Sequence, residues 1–420
     1  MHGSAERRAG FMREEMSGAR GSERIATVLF VTLVCLNFLS ACMAQMNTAG
    51  SPTLVVGMGG SGAYGGFLVL VFVIASMVSR LVAGVVADNR SRRVLLVSGC
   101  IVYIIGCALP ILFPVMVALV PARILQGWGY ASVNTAATTC ASDVLPASRL
   151  GEGIGYYGLG HAVAMALGPM LGLALAGTHA MAPLALGALA LSVIALLLSL
   201  TVVYERDPSR LPESCGYVRA SSSRAEKPER VRISASAAFD ASGLRGGVPM
   251  FLISGVITFY LSFAPLFAQS MGYANASALF VFAAVAAVFV RFVAAKAFDR
   301  YSPLAVFLVP VAFGVLSLGA MYFIRTEAVF LACGACYGVC LGFSIPLLNS
   351  VVVKAALPER YGAANALFLL CYDAGVGLAA VAWGAVYDLL GFEALFVVSA
   401  LTGVLAFISA CVLFPRRRRR

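Results

Sequence analysis

Several ionisable side chains sit where their neighbours leave little water to hold them. Arg80, Arg123, His161 and Asp373 each lie inside a long apolar run, and such groups are costly in lipid unless they are paired or reach a wet cavity. Asp373, in Leu-Leu-Cys-Tyr372-Asp373-Ala-Gly375-Val-Gly377, is a lone carboxylate able to take up and release a proton within a span. A charge held by a neighbouring arginine is the other reading of that residue. Arg123 could exchange protons or pair with a carboxylate, so Asp373 and Arg123 are the proton-coupling candidates. His161 can titrate near neutral pH, although a single histidine among small residues also reads as a packed neutral ring. Cys333, Cys336 and Cys340 share a helix face by their spacing, but no Met or His stands near them and no metal site is assigned.

A further charged set stands at Arg80-Leu-Val-Ala-Gly84-Val-Val-Ala-Asp88-Asn-Arg-Ser-Arg92-Arg93. At helical spacing Arg80, Gly84 and Asp88 fall on one face, with a small residue between opposite charges. A tight basic turn follows, and a new apolar run begins at Val94.

These residues need elements that cross a membrane. The chain has 420 residues, 60% hydrophobic and 12% charged, with mean hydropathy +0.91. A soluble domain carries about a quarter charged residues. Runs of roughly 20 apolar residues, enough to span a bilayer, recur along almost the whole sequence and predict an all-α membrane protein of twelve transmembrane helices. The spans run from about 25–46 to 391–414. The domains expected are a tail at 1–24, a six-helix bundle at 25–204, a cytoplasmic linker at 205–247, a second bundle at 248–414 and a basic tail at 415–420. Residues 1–24 are polar and basic without a short apolar core, so no removable signal peptide is expected. The net charge of +11 gathers between spans, where orientation explains it and a nucleic-acid partner is not needed. Arg90, Arg92, Arg93, Arg149, Arg300, Lys354, Arg360 and Arg416 to Arg420 all fall on one side, against Arg325 on the other. That asymmetry predicts both termini in the cytoplasm and a multi-pass protein of the plasma membrane.

The halves look like copies. Arg80 and Asp88 recur as Arg291 and Asp299, and Arg149 and Gly151 as Arg360 and Gly362, all displaced by 211 residues. Two pseudo-symmetric six-helix bundles follow from such a repeat. No Gly-Lys-Ser, Gly-x-Ser-x-Gly or His-Glu-x-x-His arrangement occurs, so neither ATP-driven transport by this chain alone nor hydrolase chemistry is expected.

Over essentially its full length the chain resembles the major facilitator superfamily. Gly84 to Arg93 is similar to the family's signature loop between spans two and three, departing at Asn89, where a basic residue is usual. The resemblance implies a conformational latch at the cytoplasmic side that involves Arg80, Gly84, Asp88 and Arg92, with Arg291 and Asp299 as the repeat. Arg123-Ile-Leu-Gln126-Gly127-Trp128-Gly129 is similar to the family's second motif and implies a part in proton movement. Gly155, Gly168-Pro169 and Gly172 resemble the antiporter motif, with Ala164 and Leu173 where glycines are expected, and imply a helix-packing role associated with exporters. Spans one, four, seven and ten line the central cavity in this family. That points to Asn37, Asn134, Tyr260 and Asn349, with His161, as substrate-cavity candidates. The expectation is a monomeric, proton-coupled exporter of an amphipathic or drug-like small molecule, using no cofactor beyond the proton gradient. A proton-coupled importer of a small polar metabolite and a non-transporting sensor or scaffold are the alternatives.

Overall fold

The structure, a computed structural model, describes residues 27–89, 91–146, 149–177, 179–205, 215, 240–357 and 361–414, with side chains excluded at 84–89, 150–151, 291–300 and 361–363. Within these residues the chain is almost wholly helical. The first half holds α1 (Val28–Gly57), α2 (Gly62–Asn89), α3 (Arg92–Leu112), α4 (Leu119–Val144), α5 (Leu150–Ala176) and α6 (Met181–Thr201). In the second half α7 covers Ala241–Ser270, and α8 (Ala278–Arg300), α9 (Pro303–Phe323) and α10 (Glu327–Ala355) follow. The last helical run, Tyr361–Leu413, breaks at Gly391, where φ is 75°. Only glycine takes that conformation without strain, and it divides α11 (361–390) from α12 (392–413). Nine stretches among the described residues are long and apolar enough to cross a membrane. Dividing the last of these and adding α4 and α8 gives the twelve the sequence predicts.

Local chemistry starts these helices. Thr27 accepts a hydrogen bond from the Phe30 amide at 3.1 Å to cap α1, and Ser302 caps α9 ahead of Pro303 in the same way. Two boundaries differ from expectation. The helix α1 runs on to Gly57 instead of ending near residue 46. Its continuation carries Asn47, Thr48, Ser51 and Thr53, which read as a polar loop but are all buried inside the bundle. The span α7 begins at Ala241, where Asp240 accepts from the Ser242 amide at 2.8 Å, so the last residues assigned to the linker are helical. Most of 205–247, the tails 1–24 and 415–420, and Arg90 and Arg360 lie outside the described residues.

The two halves are built alike. In the first, α1 packs on α5, α2 on α4, and α3 on α4 and α6; in the second, α7 packs on α11, α8 on α10, and α9 on α10 and α12. A Cβ added to Gly127 would lie 2.3 Å from the Phe72 carbonyl oxygen, and one added to Gly338 would lie 2.0 Å from that of Ala283. Both members of these two contacts are displaced by 211 residues, the same interval that relates the repeated charges. Each half has an apolar core, that of the second also taking in Ala49 and Leu173 of the first, and a small cluster that includes Val69, Phe72, Val73, Val376 and Ala380 also joins the halves. The seam is formed by α2 against α11 and by α5 against α8, with α1 also touching α7. We call the end where α1 begins proximal and the opposite end distal.

Candidate functional site

A cavity of about 620 Å³ lies on the seam, lined by residues of both halves. The first half supplies most of the polar lining, Gln45 and Thr48 from α1, Ser76 and Arg80 from α2, Tyr130 and Asn134 from α4, and His161 from α5, set among Ala41, Ala44, Phe72, Val73, Ala162 and Met165. The second half is mostly apolar, with Ala283, Ala284 and Ala287 of α8, Leu341 and Ile345 of α10, and Phe368, Leu369 and Val376 of α11. Tyr337, Tyr372 and Asp373 are its polar members. The volume falls in the range of small-molecule sites.

Arg80 and Asp373 meet on the cavity wall, Nη1 to Oδ2 at 2.8 Å, joining α2 of one half to α11 of the other. Their side chains are 28% and 16% exposed, so the pair faces the cavity. Arg80 also stands over the Tyr130 ring at 5.9 Å, a cation–π contact. The carboxylate that the sequence leaves alone is therefore paired. Its partner is 293 residues away in the chain, beyond the reach of any spacing argument. The Arg80 side chain, grouped by its helix face with Gly84 and Asp88, reaches the second half. The side chains at Gly84, Asp88, Arg291 and Asp299 lie outside the described residues.

Arg123 is absent from the cavity lining and is 2% exposed. Its guanidinium donates to the Asn47 carbonyl and the Ser51 hydroxyl, both at 2.7 Å, and to Gln126 Oε1 at 3.1 Å, and it lies over the Phe72 ring at 5.4 Å. Its partners are neutral groups of α1 and α4, and its Nε has no acceptor. Arg123 thus ties two helices of the first half behind the cavity wall.

Of the other cavity candidates, Asn134 and His161 line the chamber. Asn37 stands behind Asn134, accepting from it at 3.4 Å and donating to the Tyr157 carbonyl at 3.0 Å. Tyr260 is fully buried in a five-residue π turn of α7, stacked on Tyr337 at 4.9 Å. It supports the lining residue and is not itself in the lining. Asn349 donates to Asn365 at 2.9 Å, bonding α10 to α11 outside the lining. Gln45, Tyr130 and Tyr337 line the cavity without having been singled out in the sequence. Tyr130 carried a signal, since it follows the Arg123 motif in span four.

The glycines of α5 separate into two groups. A Cβ on Gly172 would lie 2.1 Å from the Met46 carbonyl oxygen, and one on Gly168 2.9 Å from that of Cys42, so α5 rides directly on the backbone of α1. Pro169 lies between them within the helix. Gly155 corrects the expectation, because a Cβ there meets nothing within 4 Å. It sits near the proximal end of α5, away from the crossing with α1.

Both ends of the bundle carry built contacts. At the proximal end Glu205 caps α3, accepting from the Arg92 and Arg93 amides at 2.9 and 3.3 Å and from the Ser91 hydroxyl. Arg92 pairs with Asp143 at 2.7 Å, so this residue is bound to α4 of its own half. Tyr204 donates to Asp143 at 2.7 Å, and burial, with Cys140 and Asp143 beside it, pushes the Tyr204 phenol well up, which keeps it a donor. At the distal end the two halves touch backbone to backbone. Asp388 of α11 accepts from the Gly62 and Ala63 amides of α2, both at 2.7 Å. A Cβ on Gly66 would fall 1.9 Å from the Ala380 carbonyl oxygen, and one on Gly384 2.3 Å from that of Gly62. At this end, therefore, α2 of one half is held directly against α11 of the other.

Comparison with known proteins agrees with this architecture. The profile of the Major Facilitator Superfamily matches residues 33–380 and again 308–420. The chain is 22% identical over 307 residues to the staphylopine export protein of Staphylococcus aureus, covering 71% of this chain and 74% of that protein. It is 28% identical over 156 residues to the MFS-type transporter ppz2 of Metarhizium majus, covering 37% of this chain but only 27% of that protein's length. Among solved structures the fold is similar to the nucleoside transporter NupG, with TM-score 0.71 and 16% identity over 92% of this chain and 99% of that one. It is also similar to the xylose transporter XylE from E. coli, with TM-score 0.69 and 14% identity over 94% and 100%. With its duplicated bundles, the cavity on their seam and a family match along nearly its whole length, this chain belongs to the major facilitator superfamily and is a multi-pass membrane transporter.

Proposed function

We propose that the protein is a proton-coupled exporter that moves a small amphipathic molecule by alternating access. On this reading it works as a monomer in the plasma membrane with both termini cytoplasmic, and it needs no cofactor beyond the proton gradient. The observation that carries the reading is the Arg80–Asp373 pair, which bridges the two halves on the cavity wall. Protonating Asp373 removes one of the two charges and with it most of the attraction across the seam. Arg80 is then left in a mostly apolar chamber. Occupancy of Asp373 by a proton and the separation of the halves are thus one coupled equilibrium. A lining whose polar groups come mainly from the first half, among many apolar residues of both, favours an amphipathic passenger. Export is favoured by the Gly168-Pro169-Gly172 packing of α5 on α1, by its resemblance to the antiporter motif, and by the relative named as an export protein. The basic residues gathered at the proximal end support a cytoplasmic placement of that end, so the distal contact of α2 with α11 lies toward the outside.

Reconstitution tests this directly. Vesicles with an acidic lumen are given a panel of labelled amphipathic compounds, with the proximal face of the protein outward. Uptake against a gradient, collapsed by a protonophore, is the expected result. Uptake that instead needs an alkaline lumen would make the protein an importer, and no exchange of any compound would remove transport altogether.

A further inference from the structure

We propose that the transported molecule is dipolar as well as amphipathic, with an anionic and a cationic group close together on an apolar body, and that it inserts between Arg80 and Asp373. The proposal rests on the transporter reading above and names its substrate class. Three features of the chamber lead to it.

The first is how little of the ion pair is used up by itself. A guanidinium has five N–H donors in a planar fork that suits a carboxylate on two of them. Arg80 meets Asp373 through a single contact, Nη1 to Oδ2, with a further side-chain hydrogen bond to Tyr130, and the Oδ1 of Asp373 is not part of the ion pair. Both side chains are partly exposed, and what they are exposed to is the cavity. A carboxylate could lie along the free edge of Arg80 while an ammonium takes the free edge of Asp373.

The second is charge balance. Among the described residues that line the cavity, Arg80 and Asp373 carry the only formal charges, and they sum to zero. A ligand with net charge would leave one charge uncompensated among the apolar residues of the lining, which is expensive at low dielectric. A dipolar ligand replaces one ion pair by two and leaves the balance unchanged. The third is the apolar lining from the second half. Ala283, Ala284 and Ala287 keep α8 small there, and Leu341 and Ile345 of α10 extend the apolar surface. This gives the body of the ligand a place away from the pair.

The same geometry ties loading to the proton. The cationic group of the ligand and a proton compete for Asp373, so binding of this class requires the carboxylate to be free of its proton. Four titratable side chains share the chamber with the pair: Tyr130 of α4, His161 of α5, Tyr337 of α10 and Tyr372 of α11. None of these is a carboxylate, so none offers the proton or the cation an equivalent anion.

Four indole probes of nearly equal body separate the head groups: L-tryptophan, indole-3-propionate, tryptamine and tryptophol. Their binding to the full-length protein in nanodiscs is measured by calorimetry at neutral pH. Tryptophan should bind most tightly, with either single-charge probe weaker by about tenfold or more, because each leaves one member of the pair unmatched. Arg80→Gln and Asp373→Asn should each remove the preference. The double variant keeps the chamber neutral and should bind tryptophol as the wild type does while failing to rank tryptophan first. An equal or higher affinity for the propionate or the amine overturns the proposal, and so does failure of all four probes to bind. Neither of those results touches proton-driven uptake of some other compound by vesicles. Conversely, a dipolar preference without any vesicle uptake would fault the transporter reading and leave this site in place.

Discussion

Replacing Asp388 by alanine should loosen the distal contact and move the protein toward the state open at that end. In this structure the carboxylate of α11 takes two amide hydrogens from the first turn of α2, each at 2.7 Å, across the seam. Hydrogen bonds to a charged group contribute about 1.5–3 kcal/mol each when well shielded, and an anion at a helix N-terminus adds roughly 0.3–1 kcal/mol. Asp388 is exposed, and the freed amides find water once the halves part. The net effect on the equilibrium is therefore about 1–2 kcal/mol, roughly a five- to thirtyfold change in the ratio of the two states. Asp388→Asn keeps one acceptor oxygen and should fall between alanine and wild type. The assay is a spin-label distance across the distal end, with labels at Ala180→Cys in the first half and Ser270→Cys in the second, both exposed positions. The exposed native thiols Cys35 and Cys411 are first replaced by serine. The longer-distance population should grow in the order wild type, asparagine, alanine. An identical distance distribution in all three would mean that the glycine contacts at Gly62, Gly66 and Gly384 hold this end unaided, and the role argued for the carboxylate would be refuted.

Three other perturbations test separate parts of the structure. Asp373→Asn should abolish proton-driven uphill transport while leaving substrate exchange measurable in preloaded vesicles; uphill transport that survives would place coupling elsewhere. Gly172→Ala and Gly338→Ala each put a Cβ within 2.1 Å of a backbone oxygen, and should lower stability by about 1–3 kcal/mol through forced separation of α1 from α5 and of α8 from α10. Gly155→Ala has open space around it and should leave the thermal unfolding midpoint unchanged, so a similar loss at all three positions would undo the packing argument. Glu205→Gln weakens the cap on α3 and the ion pair with Arg92, and should speed amide exchange in the first turn of α3 relative to that of α9, which Ser302 caps.

The fold was legible because two independent patterns agreed. Apolar runs of membrane length set the number of spans, and the charge pairs at an interval of 211 residues set the duplication. The contact of Gly127 with Phe72 and that of Gly338 with Ala283 carry the same interval into three dimensions. The end of α1 was not legible, because Asn47, Thr48 and Ser51 look like a loop until other helices bury and bond them. The candidate site was half legible. Embedded charge pointed to Asp373 and Arg123 alike, yet only Asp373 reaches the chamber; Arg123 spends its donors on α1. Helical spacing grouped Arg80 with Asp88, and no local pattern could announce a partner in the other half. The glycines of α5 looked equivalent in sequence, and only the position of the α1 backbone separates Gly168 and Gly172 from Gly155.

What distinguishes this duplicated bundle is where its symmetry is broken. Ala162 and Asp373 occupy matching registers of α5 and α11 at the repeat interval, and both line the cavity. The arginine position of α2 is also repeated, as Arg291 in α8, so the duplication supplied the cation twice and the carboxylate once. A second pair in the other register would have made the chamber polar on both sides and would have tied α5 to α8 as Asp373 ties α11 to α2. With a single pair, the described charges stand at one place on the seam, and apolar residues of both halves make up most of the remaining lining. The halves can then rock about a near-symmetric frame while the cargo and the proton meet at one off-axis point. The asymmetry that makes the chamber selective is the same one that gives it a single carboxylate across the seam, so on this argument selectivity and coupling are properties of one residue pair and should be lost together.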